Sequence, residues 1–325
     1  MRVLVTGGTG FLGRHLIHPL LKQGMEVTVL YRRESGKERL PEILRKEIRF
    51  VKGDILNPES LQGCLRGMEW VIHTAGEVAW GRGQRKKMMD SHITGTKNMV
   101  SEAMSSDVSR FIQTSSAAAV GFSLNGSSVD ETFPFNGDRL NNGYAMAKRQ
   151  AEQLVMKEAH TGRLPGVVVN PTVIMGESHP GFIKEVARGK LRFALEGGVN
   201  ICDINDVVQG HLLAAKKGRV GERYILGGTD LSLRRLFQEV ADCAGTGQTI
   251  ATLPRWMALG ASVVGEAVGY IKGKEAPLAW DIARLSGTNI YYRSTKAEQE
   301  LGYKRRSLTM TIQSCIEWMQ KNNCL

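Results

Sequence analysis

Tyr144 and Lys148 are two residues whose types and spacing could support proton transfer. They lie four residues apart in a segment that predicts a helix, so both side chains would project from one helix face. A free tyrosine has a pKa of about 10, and a neighbouring cation favours its ionised form. Tyr144 can then exchange a proton with a carbonyl or alcohol oxygen while a hydride is added or removed. Ser116 would donate a hydrogen bond to the same oxygen as its charge changes.

The tyrosine-to-lysine spacing is a weak signal by itself. It occurs twice more in the chain, at Tyr270/Lys274 and at Tyr292/Lys296. The first pair is favoured because it follows a predicted strand, Arg110–Thr114, which delivers Ser116 to the edge of a sheet. For the two later pairs, packing and surface roles are the simpler interpretation.

An apolar segment at the start of the chain runs into a glycine-rich turn and then into a helical pattern. This order is typical of a dinucleotide site, where a pyrophosphate approaches main-chain N–H groups at a helix N-terminus. Glycines remove the Cβ atoms that would block this approach and let the helix pack closely on the strand. The alternative is a glycine turn with a structural role only. The residues predicted to contact the cofactor here are Gly7, Gly10, Phe11, Leu12 and Gly13.

The end of the second predicted strand, Glu26–Tyr31, indicates which cofactor is bound. An acidic residue at this position would hold the ribose 2′-hydroxyl of NAD and repel a 2′-phosphate. The strand is followed by Arg32 and Arg33, whose guanidinium groups suit phosphate. The sequence therefore predicts NADP, with NAD as the alternative if both arginines are only solvated loop residues.

Strand and helix patterns alternate through the first half of the chain. This alternation predicts an α/β fold with a Rossmann-type, doubly wound parallel sheet, which binds its ligand at the carboxyl ends of the strands. The later part of the chain is expected to form a smaller, mostly helical substrate domain. Five further residues follow predicted strands and are expected to contact the cofactor: Asp54, Ile55, Thr74, Ala75 and Gly76.

Composition limits the classes of partner and location. The net charge of +11 is spread along the chain, so an anionic ligand is favoured over nucleic acid. The five cysteines are scattered without paired spacing, which predicts reduced thiols and no metal site. The first strand starts near Met1, which together with reduced thiols predicts a cytoplasmic protein. The apolar stretch 256–271 carries Glu266 and small-residue breaks, and falls short of a membrane span. A core helix is the simpler interpretation, and a surface-seated amphipathic helix is the alternative.

Taken together, the motifs resemble those of the extended short-chain dehydrogenase/reductases. They are Thr6-Gly7-x-x-Gly10-x-x-Gly13, Gly53-Asp54, Thr114-Ser115-Ser116, Tyr144-x-x-x-Lys148, Asn170-Pro171-Thr172-Val173, Asp206-Val207-Val208 with His211, Gly221-Glu222-Arg223-Tyr224 and Lys296-Ala297-x-x-x-Leu301-Gly302-Tyr303. Within that superfamily, Arg32, residues 221–228 and residues 253–256 look most like the dihydroflavonol 4-reductase-like group, which includes bacterial members labelled hopanoid-associated sugar epimerases.

The resemblance implies catalytic roles for Ser116, Tyr144 and Lys148, with Tyr144 and Lys148 also contacting the cofactor. It implies that main chain at Pro171 and Val173 contacts the nicotinamide carboxamide. It further implies a cofactor domain at 1–170, with 200–226 returning to it, and a substrate domain at 171–199 and 227–325. A homodimer is a possibility in this superfamily.

Two departures from the family pattern affect the choice of reaction. Ser91 stands where the family usually has asparagine, which puts a proton relay through that position in doubt. The segment 197–202 lacks the arginine that sugar-nucleotide enzymes often use for a diphosphate. The favoured hypothesis is an NADP-dependent reductase of a hydrophobic ketone, or dehydrogenase of the matching alcohol. The alternatives are a sugar-nucleotide epimerase or dehydratase, and a non-catalytic dinucleotide sensor.

Five large apolar residues of the C-terminal part are candidates for a pocket lining, although core positions are the simpler interpretation for each: Phe182, Phe193, Trp256, Met257 and Trp280.

Overall fold

The main element of the fold is a seven-stranded parallel sheet. The computed structural model describes residues 1–77, 85–177, 181–272, 278 and 280–325. The sheet strands are β1 (Arg2–Thr6), β2 (Glu26–Tyr31), β3 (Arg49–Lys52), β4 (Trp70–His73), β5 (Arg110–Thr114), β6 (Gly166–Pro171) and β10 (Arg223–Leu226), in the order β10-β6-β5-β4-β1-β2-β3. Short runs rich in Val and Ile form these strands because both faces of the sheet are covered.

The strand order reverses beside β1, which pairs with β2 on one side and β4 on the other. In open parallel sheets such a reversal opens a crevice at the carboxyl ends of the strands. The doubly wound fold predicted from the alternation of elements is therefore confirmed.

Helices cover both faces of this sheet and continue into the C-terminal half. They are α1 (Phe11–Lys22), α2 (Glu34–Lys37), α3 (Glu42–Glu47), α4 (Arg85–Met104), α5 (Gly143–His160), α6 (Gly181–Ala187), α7 (Ile204–Lys217), α8 (Leu233–Cys243), α9 (Arg255–Lys272), α10 (Trp280–Ala283) and α11 (Leu308–Lys321). Helix α1 begins directly after the glycine turn and runs through Pro19.

A second, smaller sheet lies in the C-terminal half. It contains β7 (Val173–Met175), β9 (Gly198–Asp203), β11 (Thr229–Ser232) and β13 (Asn289–Ile290), and β9 is its central strand. A separate two-stranded ribbon pairs β8 (Phe193–Leu195) with β12 (Ala251–Leu253). Beside the second sheet, α6, α8 and α11 contribute buried Ile183, Leu236, Val240 and Ile312 to a core of their own. The proposed domain limits stay a prediction.

The strand β10 lies at one edge of the main sheet, and side chains bond to its outer side. The Ile225 N–H donates to Glu131 Oε1 at 2.8 Å, and Lys296 Nζ donates to the carbonyl of Arg223 at 3.0 Å. Just past the strand, the Gly227 N–H donates to Ser294 Oγ at 2.8 Å. The outward-facing main chain of β10 is thus hydrogen-bonded without a further strand.

The apolar stretch 256–271 forms most of α9, and this helix lies on the surface. Trp256 is 74% exposed and Met257 is 42% exposed, while Phe193 on β8 is 57% exposed. The interpretation of these three residues as core is therefore wrong. Trp280 is half-buried, and Phe182 lies outside the side chains that the structure describes. Among the described residues, no helix is both long enough and apolar enough to cross a bilayer.

Candidate active site

The glycine turn leaves room for a ligand against the main chain. Gly7 has a φ of +68°, a conformation that side chains disfavour, and its carbonyl accepts from the Gly10 N–H at 2.8 Å. A Cβ at Gly7 would lie 2.7 Å from Thr74 Oγ1 and 2.8 Å from the Ala75 nitrogen. A Cβ at Gly13 would collide with the Gly7 carbonyl. Only glycine fits at both places, so β1 and α1 can pack this closely.

Helix α1 presents its N-terminus at this turn. Its N-cap residue is Gly10, which makes no side-chain cap, and the first helical turn has no acidic residue. The first N–H groups of a helix attract anions, because they lie at the positive end of the helix dipole. The first turn of α1, which includes Phe11 and Leu12, therefore suits the pyrophosphate of the predicted cofactor.

The end of β4 is tied to the end of β1 next to this turn. Thr74 Oγ1 donates to the Thr6 carbonyl at 2.7 Å, and the Ala75 N–H donates to Thr6 Oγ1 at 3.2 Å. Gly76 packs against the imidazole of His92, where a Cβ would collide with the ring. The three predicted contact residues after β4 thus line the crevice beside β1.

The carboxyl end of β2 is followed by two arginines, and the acidic residue that comes next in the sequence is already engaged. Arg32 is exposed, with Nη1 3.9 Å from Asp54 Oδ2. Glu34 accepts from the Tyr31 hydroxyl at 2.9 Å and pairs with Lys37 at 2.9 Å. A carboxylate held in this way is poorly placed to bind a ribose hydroxyl, whereas the guanidinium at the strand end suits a phosphate.

Residues after β3 form the next wall of the crevice. Asp54 Oδ1 accepts from the Leu56 N–H at 3.0 Å, which fixes its carboxylate. The Ile55 carbonyl accepts from Asn98 Nδ2 at 2.8 Å. Arg33 is exposed at the N-cap of α2. The roles of these residues toward a cofactor stay predictions.

Tyr144 and Lys148 are placed by the start of α5. Asn142 caps this helix, accepting from the Ala145 N–H at 2.9 Å, so the helix begins just before Tyr144. Ser116 follows β5 and hydrogen-bonds the Tyr144 hydroxyl. Lys148 Nζ lies 6.0 Å from the centre of the Tyr144 ring. The structure therefore brings together the three side chains for which catalytic roles are predicted.

The pKa values of this group are dominated by burial. Burial raises the pKa of Tyr144 above 10, and the hydrogen bond to Ser116 opposes this only in part. This direction is the reverse of the shift expected from a neighbouring cation. Burial lowers the pKa of Lys148 to about 8, against the opposing effect of Glu152.

A buried network fixes Lys148 and Ser116 from behind. Lys148 Nζ donates to the Thr114 carbonyl at 3.0 Å. One turn farther along α5, Glu152 is 1% exposed and accepts from Asn170 Nδ2 at 2.7 Å. The same Asn170 amide donates to the Ser116 carbonyl at 3.0 Å.

Arginines neutralise Glu152 from two directions. Arg223 Nη1 lies 2.9 Å from Glu152 Oε1, and Arg149 Nη1 lies 3.3 Å from the same oxygen. Sequence reasoning missed this role of Glu152. Its spacing of four from Lys148 was the available signal, since it places both residues on one face of α5.

The two histidines near the site are buried and bonded within the chain. His73 Nδ1 lies 2.7 Å from Thr6 Oγ1, and burial lowers the pKa of His73 to about 3. His92 Nε2 lies 3.0 Å from the Glu77 carbonyl, and burial holds its pKa well below 6.5. Ser91 Oγ accepts from the Glu77 N–H at 3.0 Å, so it anchors the segment after β4. These contacts support structural roles for both histidines.

The two residues expected beside a nicotinamide lie at the junction of the sheets. Pro171 ends β6 and is buried, whereas Val173 begins β7 and is 43% exposed. Thr172 between them donates through its N–H to the Leu226 carbonyl at 3.2 Å. Among the described residues, no group of three or more His, Cys, Asp or Glu side chains could hold a metal ion.

Comparison with known proteins identifies the family of this chain. A family model described as the NAD dependent epimerase/dehydratase family matches residues 3–227. The chain belongs to this family. It is an NAD(P)-dependent oxidoreductase of the extended short-chain dehydrogenase/reductase type, as the motifs indicated.

Three relatives match along nearly the whole length of this chain. A Synechocystis sp. protein provisionally named dihydroflavonol 4-reductase is 32% identical, covering 98% of this chain and 94% of its own. The sterol demethylase protein B of Methylococcus capsulatus is 27% identical, covering 100% of both chains. A Stigmatella aurantiaca ketoreductase of a farnesyl-bearing dihydroquinoline oxide is 28% identical, covering 94% of this chain and 92% of its own.

Solved structures share the fold. The structure of gox2253 has a TM-score of 0.86 at 29% identity and covers 99% of both chains. A UDP-glucuronic acid 4-epimerase from Bacillus cereus, solved with UDP-glucuronic acid and NAD, has a TM-score of 0.79 at 20% identity and covers 99% of this chain and 100% of its own. The second likeness concerns the fold alone.

Proposed function

We propose that this chain is an NADP-dependent reductase of a ketone on an apolar molecule, or a dehydrogenase of the matching alcohol. The observation that carries the proposal is the Tyr144 hydroxyl, which is hydrogen-bonded to Ser116 on the helix face that also bears buried Lys148. This is a proton donor with a hydrogen-bonding partner and a cation near its ring, which suits reduction at a carbonyl carbon.

The proposed steps on the protein side are few. The bound nicotinamide would supply the hydride to the carbonyl carbon. Ser116 hydrogen-bonds the carbonyl oxygen, and Tyr144 gives that oxygen its proton. The Lys148 cation favours the tyrosinate that results, because opposite charges attract strongly in a buried site. In the oxidising direction the same groups act in reverse.

The choice of NADP rests on the end of β2. Glu34 is engaged by Tyr31 and Lys37, and Arg32 is exposed beside the crevice. This arrangement supports binding of a 2′-phosphate by Arg32, with Arg33 next to it. The glycine turn, Asp54, Ile55 and the residues after β4 would hold the remainder of the nucleotide.

An apolar ketone as substrate is supported by two features. The Stigmatella relative is named for ketone reduction on a farnesyl-bearing molecule, and the Methylococcus relative is named for sterol demethylation. The segment before Asp203 has no arginine to bind a sugar diphosphate. The sugar-nucleotide epimerase is the second candidate, because the family model is described as epimerase/dehydratase and one solved neighbour is named a UDP-glucose 4-epimerase.

The deciding experiment is to unfold the purified protein and quantify any released nucleotide, then titrate the emptied protein with NADPH and NADH. A reductase exchanges its cofactor at every turnover, so we expect an empty or partly filled site that prefers NADPH and oxidises it with an apolar ketone. Near-stoichiometric bound NAD, with no net oxidation on any ketone, would replace the proposal with the epimerase. Nucleotide binding without turnover on either substrate class would leave a dinucleotide sensor.

A further inference from the structure

The helix α9 reverses the usual distribution of apolar residues on a surface helix. Its exposed side carries Trp256, Val263, Val264 and Ile271, which are 74%, 59%, 63% and 82% exposed. Its buried side is made of small residues, including Ala258, Ser262, Gly265 and Gly269. These four large apolar side chains therefore face outward.

The four exposed residues form one continuous strip. They recur at intervals of seven or eight residues, which returns to the same side of an α-helix every two turns. At 1.5 Å per residue, the strip from Trp256 to Ile271 is roughly 22 Å long. The exposed residues between them, Gly260, Ala261 and Ala267, add no polar side chain.

No charge interrupts the strip. Glu266 is the one charged residue between Trp256 and Ile271, and it is half-buried. Its Oε1 accepts from the Trp280 N–H at 3.1 Å, so its carboxylate is directed to α10.

The elements leading into α9 are basic. Arg255 is exposed at the first position of the helix, and the exposed residues Lys190 and Arg192 precede β8, the partner of β12. Two acidic residues near this flank have partners within the chain. Glu185 pairs with Arg188 at 3.8 Å, and Glu196 Oε2 accepts from the Arg255 N–H at 3.1 Å. Exposed Phe193 lies on the same ribbon.

We propose that α9 docks this chain on an anionic lipid surface. An apolar strip with an aromatic residue at one end and basic residues beside it is the pattern of helices that lie in the membrane interface. The net charge of +11 favours an anionic surface over a second copy of the chain. A symmetric pair would place the same basic flank on both partners, and like charges would then repel. This proposal does not rest on the reaction proposed above.

The test is cosedimentation with vesicles. The wild type should pellet with vesicles of phosphatidylglycerol and phosphatidylcholine at low salt, and less with phosphatidylcholine alone or at high salt. The double variant Val263→Glu/Val264→Glu should bind the anionic vesicles at least about tenfold more weakly, since it places two charges in the strip. The control Ile43→Glu/Met310→Glu makes the same charge change at exposed apolar residues of α3 and α11, and should bind within about twofold of wild type.

A second measurement reports the orientation of the helix. The fluorescence emission of Trp256, taken as the difference between wild type and Trp256→Phe, should shift to the blue and be quenched by brominated lipid when anionic vesicles are added. Three outcomes would overturn the proposal. They are no binding to any vesicle, binding that survives Val263→Glu/Val264→Glu unchanged, and a lipid-free dimer in sedimentation velocity that this double variant dissociates.

Discussion

Helices α5 and α9 each have 18 residues. Both depart from the usual arrangement of apolar side chains inside and charged side chains outside, but in opposite ways. Helix α5 buries Lys148 and Glu152 at 6% and 1% exposure, whereas α9 exposes Trp256 and Ile271 at 74% and 82%. On α5, both buried charges have partners within the chain. On α9, Trp256, Val263, Val264 and Ile271 extend away from the small residues that pack inward.

The comparison separates two kinds of functional signal. A buried charge is unfavourable unless hydrogen bonds and opposite charges surround it, so its presence indicates a site that the chain organises internally. An exposed apolar strip makes few contacts within the chain, and it indicates a surface that binds a partner or a membrane. Substitutions on α5 should therefore affect both activity and stability, while substitutions on α9 should affect neither in the isolated protein.

The largest effect is expected from Tyr144→Phe. This change removes the hydroxyl that transfers the proton and leaves the ring in place. Turnover of a reducible ketone should fall by about a hundredfold or more, with NADPH affinity retained. Steady-state kinetics and a nucleotide titration on the same sample measure both. Turnover near the wild-type value would remove Tyr144 from the proposed mechanism.

Glu152→Ala should give the next largest effect, on stability. It leaves Arg223 and Asn170 without their buried acceptor, and breaking a buried pair lowers the free energy of unfolding by about 3 kcal/mol. Urea unfolding measures this. The matched control Glu42→Ala breaks the exposed pair with Lys46 and should change the free energy by less than about 1 kcal/mol. Equal losses of unfolding free energy in the two variants would contradict a special role for the buried Glu152 network.

The conservative variant Glu152→Gln separates positioning from packing. Because the Glu152 charge raises the pKa of Lys148, its removal should lower the pH at which Lys148 loses its proton. In the wild type, activity should fall as pH rises through about 8, the pKa of Lys148. The pH profile of kcat in Glu152→Gln should shift to lower pH, and a profile that does not move would assign Glu152 a packing role alone.

Acid should destabilise the folded protein through its buried histidines His73 and His211. Burial lowers the pKa of His73 to about 3 and that of His211 to about 4, from 6.5. Each histidine is neutral when folded and takes up a proton on unfolding below pH 6.5, so stability is present above that pH and lost below it. At pH 5, each should lower the free energy of unfolding by about 2 kcal/mol relative to pH 8. Urea titrations of His211→Gln at the two pH values should show a loss of unfolding free energy that is smaller by that amount. A loss equal to that of the wild type would argue against protonation of His211 as a cause.

Arg32→Ala tests the cofactor preference on the exposed side of the site. Losing a partly exposed guanidinium should weaken NADPH binding by about tenfold, and leave NADH binding nearly unchanged, because only NADPH carries the 2′-phosphate. Fluorescence titration with both nucleotides measures the ratio. Equal weakening for the two would show that Arg32 does not recognise that phosphate.

The smallest effect is expected on α9. Val263→Glu/Val264→Glu should change the free energy of unfolding by less than about 0.5 kcal/mol per site, because both side chains are exposed. Urea unfolding checks this in the absence of lipid. A loss of several kcal/mol would show that the strip packs within the chain and would remove the contrast with α5.

The sequence was informative wherever local pattern decides structure. Strand β2 has the same limits as predicted, since a short run of Val and Leu between turn residues can be little else. The second sheet was not predicted, because β7 and β13 have three and two residues and such segments carry no periodicity. The pairing of Glu152 with Asn170 depends on β6 lying beside α5, which no spacing rule supplies. Apolar composition alone also led to the wrong interpretation of Trp256, since exposure depends on what packs against the helix.

The capped edge of the main sheet has a consequence for assembly. An open edge strand offers main-chain groups to which another chain can add, and this is a common route to aggregation. At β10, Glu131 and Lys296 already hold the outward groups of Ile225 and Arg223. A second copy cannot extend the sheet at this edge without breaking both bonds, so β10 is protected against strand addition.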